Sequence, residues 1–187
     1  MKNNDKKKII LSIITVLLVV VLIAGGTFAW WTWTSSNNTA ISFTVEGGSM
    51  TIDGGGNING QKMVPTNNCS GTYAIVRTVT VSATNQTATS MTATVQLDLS
   101  GLPSALRTSN LKYTFSETSK CNIGSPTGTL SGTTTPFALT SFSVGAGATV
   151  NKTYYLYIWL DSAETSSATQ GKSFTIKFAG TLVQNAS

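Results

Sequence analysis

The sequence of 187 residues contains no histidine, and only 10% of its residues are Asp, Glu, Lys or Arg. Histidine is the commonest general base and the commonest metal ligand. Its absence excludes Ser-His-Asp and Cys-His catalytic arrangements and the HExxH metalloprotease motif. The few carboxylates follow no motif that pairs two of them, so we expect no catalytic residue, no enzymatic activity and no cofactor.

Charge is also unevenly distributed along the chain. Four of the twelve basic residues lie within the first eight positions, where only Asp5 opposes them. The net charge of +5 therefore falls to +2 beyond this segment, where eight basic and six acidic groups remain. No basic stripe with interleaved aromatic residues is left, so nucleic-acid binding is not expected.

Metal-ligating patterns are equally scarce. The C-x₂-C spacing of zinc sites is absent. Asp53, Asn57 and Asn59 could offer oxygen atoms to Ca²⁺, but their spacing does not match the EF-hand pattern. We interpret residues 54–60 as a loop at a hairpin tip and predict no metal site.

Cysteine occurs twice, at Cys69 and Cys121. In an exported domain an even number of cysteines favours a disulfide. This one would close a loop of about fifty residues and stabilise the fold by roughly 3–4 kcal/mol in the chain-entropy model. Two separate thiols are the alternative.

The first 29 residues have the features of an export segment. A basic stretch precedes an apolar run from Ile9 to Ala24, which ends at two glycines. Thr27 and Ala29 place small residues at positions −3 and −1 of a signal-peptidase site, which predicts cleavage before Trp30. The alternative is an uncleaved single-pass anchor, because the apolar stretch extends to about 23 residues, enough to span a bilayer. Residues 1–29 are thus a signal peptide or an apolar anchor helix.

The rest of the chain is expected outside the cytoplasm, because the basic residues retain the N-terminus on the cytoplasmic side. It divides into a polar linker, residues 30–39, and a domain, residues 40–187. This domain is secreted or displayed at the cell surface if the leader is cleaved, and tethered to the membrane if it is not. The membrane and a signal peptidase are the partners that export requires.

The domain shows the alternation of period two that is typical of half-buried strands. Ile41, Phe43 and Val45 alternate with polar residues, and residues 91–99 give the clearest example. Segments at 73–81, 111–115, 137–144 and 174–182 follow the same pattern, with a phase slip near Thr140 that predicts a bulge. We interpret residues 122–135 as a loop and Asn85-Gln86 as a turn. Residues 150–160 are apolar on both faces, which predicts a central or covered strand. About eight strands separated by turn signals predict an all-β sandwich.

Both ends of the chain resemble one family. The leader ends in Gly25-Gly26-Thr27-Phe28-Ala29-Trp30, and the C-terminal region contains Tyr155–Asp161 followed by Gly171-Lys172-Ser173-Phe174. These motifs are similar to those of TasA and camelysin, exported proteins processed by a SipW-type signal peptidase.

The resemblance implies a jelly-roll sandwich that self-associates into fibres of the biofilm matrix. It also implies assembly by donor-strand exchange, in which the N-terminal strand of one subunit completes a sheet of the next. We expect Ile41, Phe43 and Val45 to form that assembly strand. The camelysin-type protease activity is not expected, because no catalytic site accompanies it. A membrane-tethered adhesin or binding module is the alternative function.

Overall fold

The computed structural model describes residues 39–60, 63–69, 73–132 and 136–185. Within these ranges the chain is all-β, with one 3-10 helix at Ser104–Leu106 and no α-helix. The predicted leader helix lies outside them. The strands are β1 (Ile41–Val45), β2 (Gly48–Asp53), β3 (Ile58–Gly60), β4 (Pro65–Thr66), β5 (Ala74–Asn85), β6 (Met91–Asp98), β7 (Leu111–Ser116), β8 (Gly128–Thr129), β9 (Phe137–Val144), β10 (Thr149–Asp161) and β11 (Phe174–Gln184).

These strands form two sheets, and all their pairings are antiparallel except the short parallel pair of β4 with β10. The first sheet has the order β1-β2-β5-β10-β7-β8, and β4 joins it beside β10. The second sheet has the order β3-β11-β6-β9. Among the eight strands of five or more residues, those from β5 onward alternate between the sheets. The consecutive strands β5 and β6 therefore do not pair with each other.

The core lies between the two sheets and follows from the alternation in the sequence. On β6 every second residue is buried, and the residues between them are half-buried. Aromatic rings from the two sheets pack against each other, since the ring centroids of Phe115 on β7 and Phe178 on β11 lie 6.3 Å apart. Tyr113 of β7 meets Phe137 of β9 edge to face at 5.7 Å. Burying both inner faces against each other removes the apolar side chains from water, which is the main stabilising term.

Strand β10 is apolar on both faces, and the structure confirms the prediction that such a strand is central or covered. It lies between β5 and β7 in the first sheet. Leu156 and Ile158 point into the main core. Tyr157 and Trp159 point to the outer face, where they form a second, smaller apolar cluster with Cys69.

Three predictions about loops and bulges differ in detail from the structure. Residues 58–60, expected in a loop, form β3 and pair with β11, because Ile58 is fully buried in the core. Two residues of the expected loop at 122–135 form β8 against β7. The bulge in β9 is confirmed but falls at Leu139, where the pairing with β6 shifts register.

Candidate functional site

The predicted assembly strand is β1, which forms one edge of the first sheet. It pairs with β2 of the same chain, and Val45 faces Gly48 across a two-residue turn. Gly47 in that turn has a φ of +75°, a conformation that glycine adopts without steric cost. Ile41 and Phe43 are half-buried and pack against the core. Val45 is 36% exposed, so β1 contributes two anchoring side chains rather than three.

The outer side of β1 presents unsatisfied backbone groups. Hydrogen-bonded and non-hydrogen-bonded residue pairs alternate along an antiparallel ladder. The pair that closes a two-residue turn is hydrogen-bonded, so Ile41, Phe43 and Val45 direct their backbone groups toward β2. The groups of Ser42 and Thr44 therefore point away from β2. Among the described residues, no further backbone hydrogen bond reaches them.

A second long edge lies in the other sheet. Strand β9 pairs only with β6, and its eight residues include no charged side chain. Strand β1 also carries no charge. The remaining edge strands are only three residues (β3) and two residues (β4 and β8) long. Proteins usually protect long edges with charges, proline or very short strands, so β1 and β9 are the two edges of the described domain that could accept another strand.

The Cys69–Cys121 disulfide is present, as the cysteine count predicted. The two Cα atoms lie 5.8 Å apart, within the usual range for a disulfide. The bridge lies over the outer face of β10, where Trp159 is fully buried. Below it, the Trp159 indole nitrogen and the Thr114 hydroxyl, both buried, have no hydrogen-bond partner in the described part of the chain.

Two carboxylates at the end of β10 are held by hydrogen bonds. Asp161 accepts a 2.6 Å hydrogen bond from the Lys112 ammonium, and this bond, with a second from a backbone N–H, lowers the pKa of Asp161. Glu164 is nearly buried, and its carboxylate accepts bonds from the Ser166 backbone and the Asn110 side chain. These bonds lower the pKa of Glu164, because they stabilise its charged form.

The remaining candidate ligands and acids are dispersed. No group of three His, Cys, Asp or Glu residues among the described ranges is placed to hold a metal ion. Asp98 lies 3.7 Å from Lys177. In the loop considered for Ca²⁺, the side-chain oxygen of Asn59 accepts a hydrogen bond from Thr175, and the backbone oxygen of Asn57 accepts one from Arg77.

One polar residue with a structural role was not predicted from the sequence. Asn85, interpreted as part of a turn, is the last residue of β5 and is 1% exposed. Its side chain joins the β5–β6 connection to the β9–β10 connection through five hydrogen bonds. Asparagine is so frequent in turns that the sequence holds no signal to separate this case.

The predicted cleavage residues Thr27, Ala29 and Trp30 lie outside the described residues, as does almost all of the linker. None of the helical segments that the structure describes is long and apolar enough to cross a membrane.

No protein-family model and no curated protein matches this chain. Among solved structures, the chain is similar to the crystal structure of a FixG-related protein from Vibrio parahaemolyticus, with 13% sequence identity and a TM-score of 0.32. The match covers 75% of this chain and 94% of that chain.

Proposed function

We propose that this protein is an exported structural subunit, secreted or held at the cell surface, that assembles into extracellular fibres. The assembly mode is N-terminal donor-strand exchange, as the resemblance to TasA implies. In each contact, β1 of one subunit leaves its own β2 and pairs with β2 of the next subunit. Such a contact is heterologous, and repeating it produces an open filament.

The observation that carries this proposal is the position of β1. The strand is five residues long, uncharged, paired on one side only, and joined to β2 by a two-residue turn. Short hinge loops favour exchange, because opening the turn relieves the tight reversal of the chain. The ladder and the pockets for Ile41 and Phe43 would be formed again in the neighbour, so little interaction energy is lost.

The jelly-roll assignment is part of the same proposal. The alternation of the long strands between the two sheets supports it. Because β1 lies at the edge of its sheet and pairs only with β2, removing it leaves the other pairings intact.

Export is the other requirement. Cleavage after Ala29 would give a mature chain that begins at Trp30, with residues 30–39 between its N-terminus and β1. Mass spectrometry of the mature N-terminus separates this from a tethered adhesin. A chain that starts near Trp30 supports a released subunit, and one that starts at Met1 supports the tether.

The experiment that tests the exchange compares two deletions of the mature protein by electron microscopy. Removing residues 30–45 takes away β1 and should abolish fibres. Removing residues 30–38 retains β1 and is the matched control, which should still form them. A synthetic peptide of residues 39–46 should raise the melting temperature of the longer deletion, whereas a scrambled peptide should not. Undiminished fibres from the longer deletion would refute donor-strand exchange.

A further inference from the structure

The Cys69–Cys121 disulfide fastens a loosely held segment over buried aromatic side chains. We name residues 118–126 the cover segment. It contains no strand or helix, and seven of its nine residues are not hydrophobic. Only Cys121, Ile123 and Pro126 of its side chains are even partly buried. Cys121 and Ile123 pack on the outer-face cluster of Tyr157 and Trp159.

The hydrogen bonds of the cover segment are local. The Lys120 N–H donates to the Thr118 carbonyl, and the Ser125 N–H donates to the Asn122 side chain. The Thr118 carbonyl accepts a bond from Ser116, the residue at the end of β7. Firm attachment to the sheet resumes at Thr127, whose N–H donates to the Tyr113 carbonyl at 2.9 Å. The disulfide is therefore the strongest connection between the cover segment and the rest of the fold.

The cluster below the cover segment is a separate apolar unit. It comprises Cys69, Tyr157 and Trp159, with four partly buried neighbours, and it lies on the opposite face of the sheet from the main core. Its burial also has an energetic cost, because neither the Trp159 indole N–H nor the Thr114 hydroxyl, both buried, has a hydrogen-bond partner among the residues that the structure describes. Exposing these two groups to water would recover their hydration. Regions with few buried apolar contacts open locally while the rest of a fold stays intact.

We propose that the disulfide is a redox latch: its reduction releases the cover segment and exposes the aromatic face of β10 without unfolding the sandwich. A dithiol supplies the two electrons and two protons that convert the disulfide to two thiols, and it is itself oxidised to a cyclic disulfide. Cys121 is partly exposed, so an attacking thiolate can reach the bridge. The open form presents Tyr155, Tyr157 and Trp159 as an aromatic row.

The test is oxidative footprinting of the full mature chain, read by peptide mass spectrometry. Peptide resolution separates Trp159 from the tryptophans near the N-terminus. Oxidised protein is compared with protein that has been reduced, alkylated and freed of reductant, and with the variant Cys69→Ser/Cys121→Ser. Phe178, which is 1% exposed in the main core, reports on the sandwich itself.

We expect labelling of Trp159 to rise at least tenfold in both proteins that lack the disulfide, the reduced and alkylated protein and the double serine variant, while labelling of Phe178 stays within twofold. The oxidised variant Ile123→Ser is the matched control. It loses the packing of Ile123 on the aromatic cluster but keeps the disulfide, so its Trp159 should remain protected from labelling. A parallel rise at Phe178 would mean global unfolding and would overturn the proposal. Unchanged labelling of Trp159 after reduction would overturn it as well.

Discussion

The substitution Asn85→Ala probes the polar clamp between two connections of the sandwich. The two N–H groups of the Asn85 amide donate to the carbonyl oxygens of Thr89, Val144 and Gly145, at 2.7, 3.1 and 3.0 Å, so one N–H is shared between two of these acceptors. Its oxygen accepts from both the backbone N–H and the hydroxyl of Thr87, at 2.8 Å each. Alanine removes all five bonds and leaves a small gap in their place.

The magnitude follows from the number of bonds lost. A hydrogen bond contributes about 1 kcal/mol net, and a buried partner left unsatisfied costs more. Some of the released groups lie near the surface and can bind water, which limits the loss. We therefore expect the free energy of unfolding to fall by about 3–4 kcal/mol, a large share of the roughly 5–15 kcal/mol of a typical domain.

The assay is urea denaturation followed by circular dichroism. The control is Asn151→Ala, which removes an exposed amide from β10. It should change the unfolding free energy by less than about 0.5 kcal/mol. Asn85→Asp is a second variant of the same shape, in which an oxygen would face three carbonyl oxygens. It should be at least as unstable as the alanine variant at neutral pH and should recover as acid protonates the new carboxylate. A loss below about 1 kcal/mol for Asn85→Ala would contradict this account of the clamp.

Three further predictions concern the stability of the domain. Replacing both cysteines of the Cys69–Cys121 bridge by alanine should lower the unfolding free energy by about 4 kcal/mol, from the loop of 52 residues that the bridge closes; an unchanged urea midpoint would contradict this. Gly101→Ala should destabilise the fold far more than Gly147→Ala in the same assay, because a Cβ at Gly101 would lie 1.9 Å from a backbone oxygen. A Cβ at Gly147 would meet no atom within 4 Å, and the only cost there is the strain of a positive φ on an alanine. The lowered pKa values of Asp161 and Glu164 mean that their stabilisation is complete above roughly pH 5 and is lost progressively as pH falls through the unfolded and then the folded pKa of each group. Thermal melts between pH 2 and 7 should show a smaller loss of stability in acid for Asp161→Asn than for the wild type.

The sequence predicts which face of each strand is buried better than it predicts which strands become neighbours. Alternation places the side chains of β6 and β10 on the correct faces, because the period of two follows directly from strand geometry. The two apolar faces of β10 predict its central position for the same reason. Which strands become neighbours depends on contacts between residues far apart in the chain, so the assignment of β5 and β6 to different sheets has no local signal.

The strand proposed for assembly could be predicted only in part. Ile41, Phe43 and Val45 form a strand, as their alternation indicates. The sequence alone does not show that this strand is an edge with a partner in its own chain, because the register with β2 depends on the turn at Gly47. The aromatic cluster under the disulfide was likewise visible only as an apolar second face on β10. The segment that covers it is polar and has no periodic pattern.

The central claim, that β1 leaves its own subunit, can be tested by locking it in place. Thr44 and Ser49 face each other on β1 and β2, and both are exposed. A non-hydrogen-bonded pair of this kind has Cα atoms about 4.5 Å apart, which suits a cross-strand disulfide. The control pair, Thr51→Cys/Ser82→Cys, would join β2 to β5 and leave β1 free.

The decisive measurement is fibre formation by the oxidised mature protein, followed by light scattering and electron microscopy, with the new bridge verified by peptide mapping. Donor-strand exchange predicts that Thr44→Cys/Ser49→Cys forms no fibres until a reductant is added. It also predicts that the control pair and the reduced wild type form them normally. Fibres from the locked protein at the wild-type rate would contradict the account.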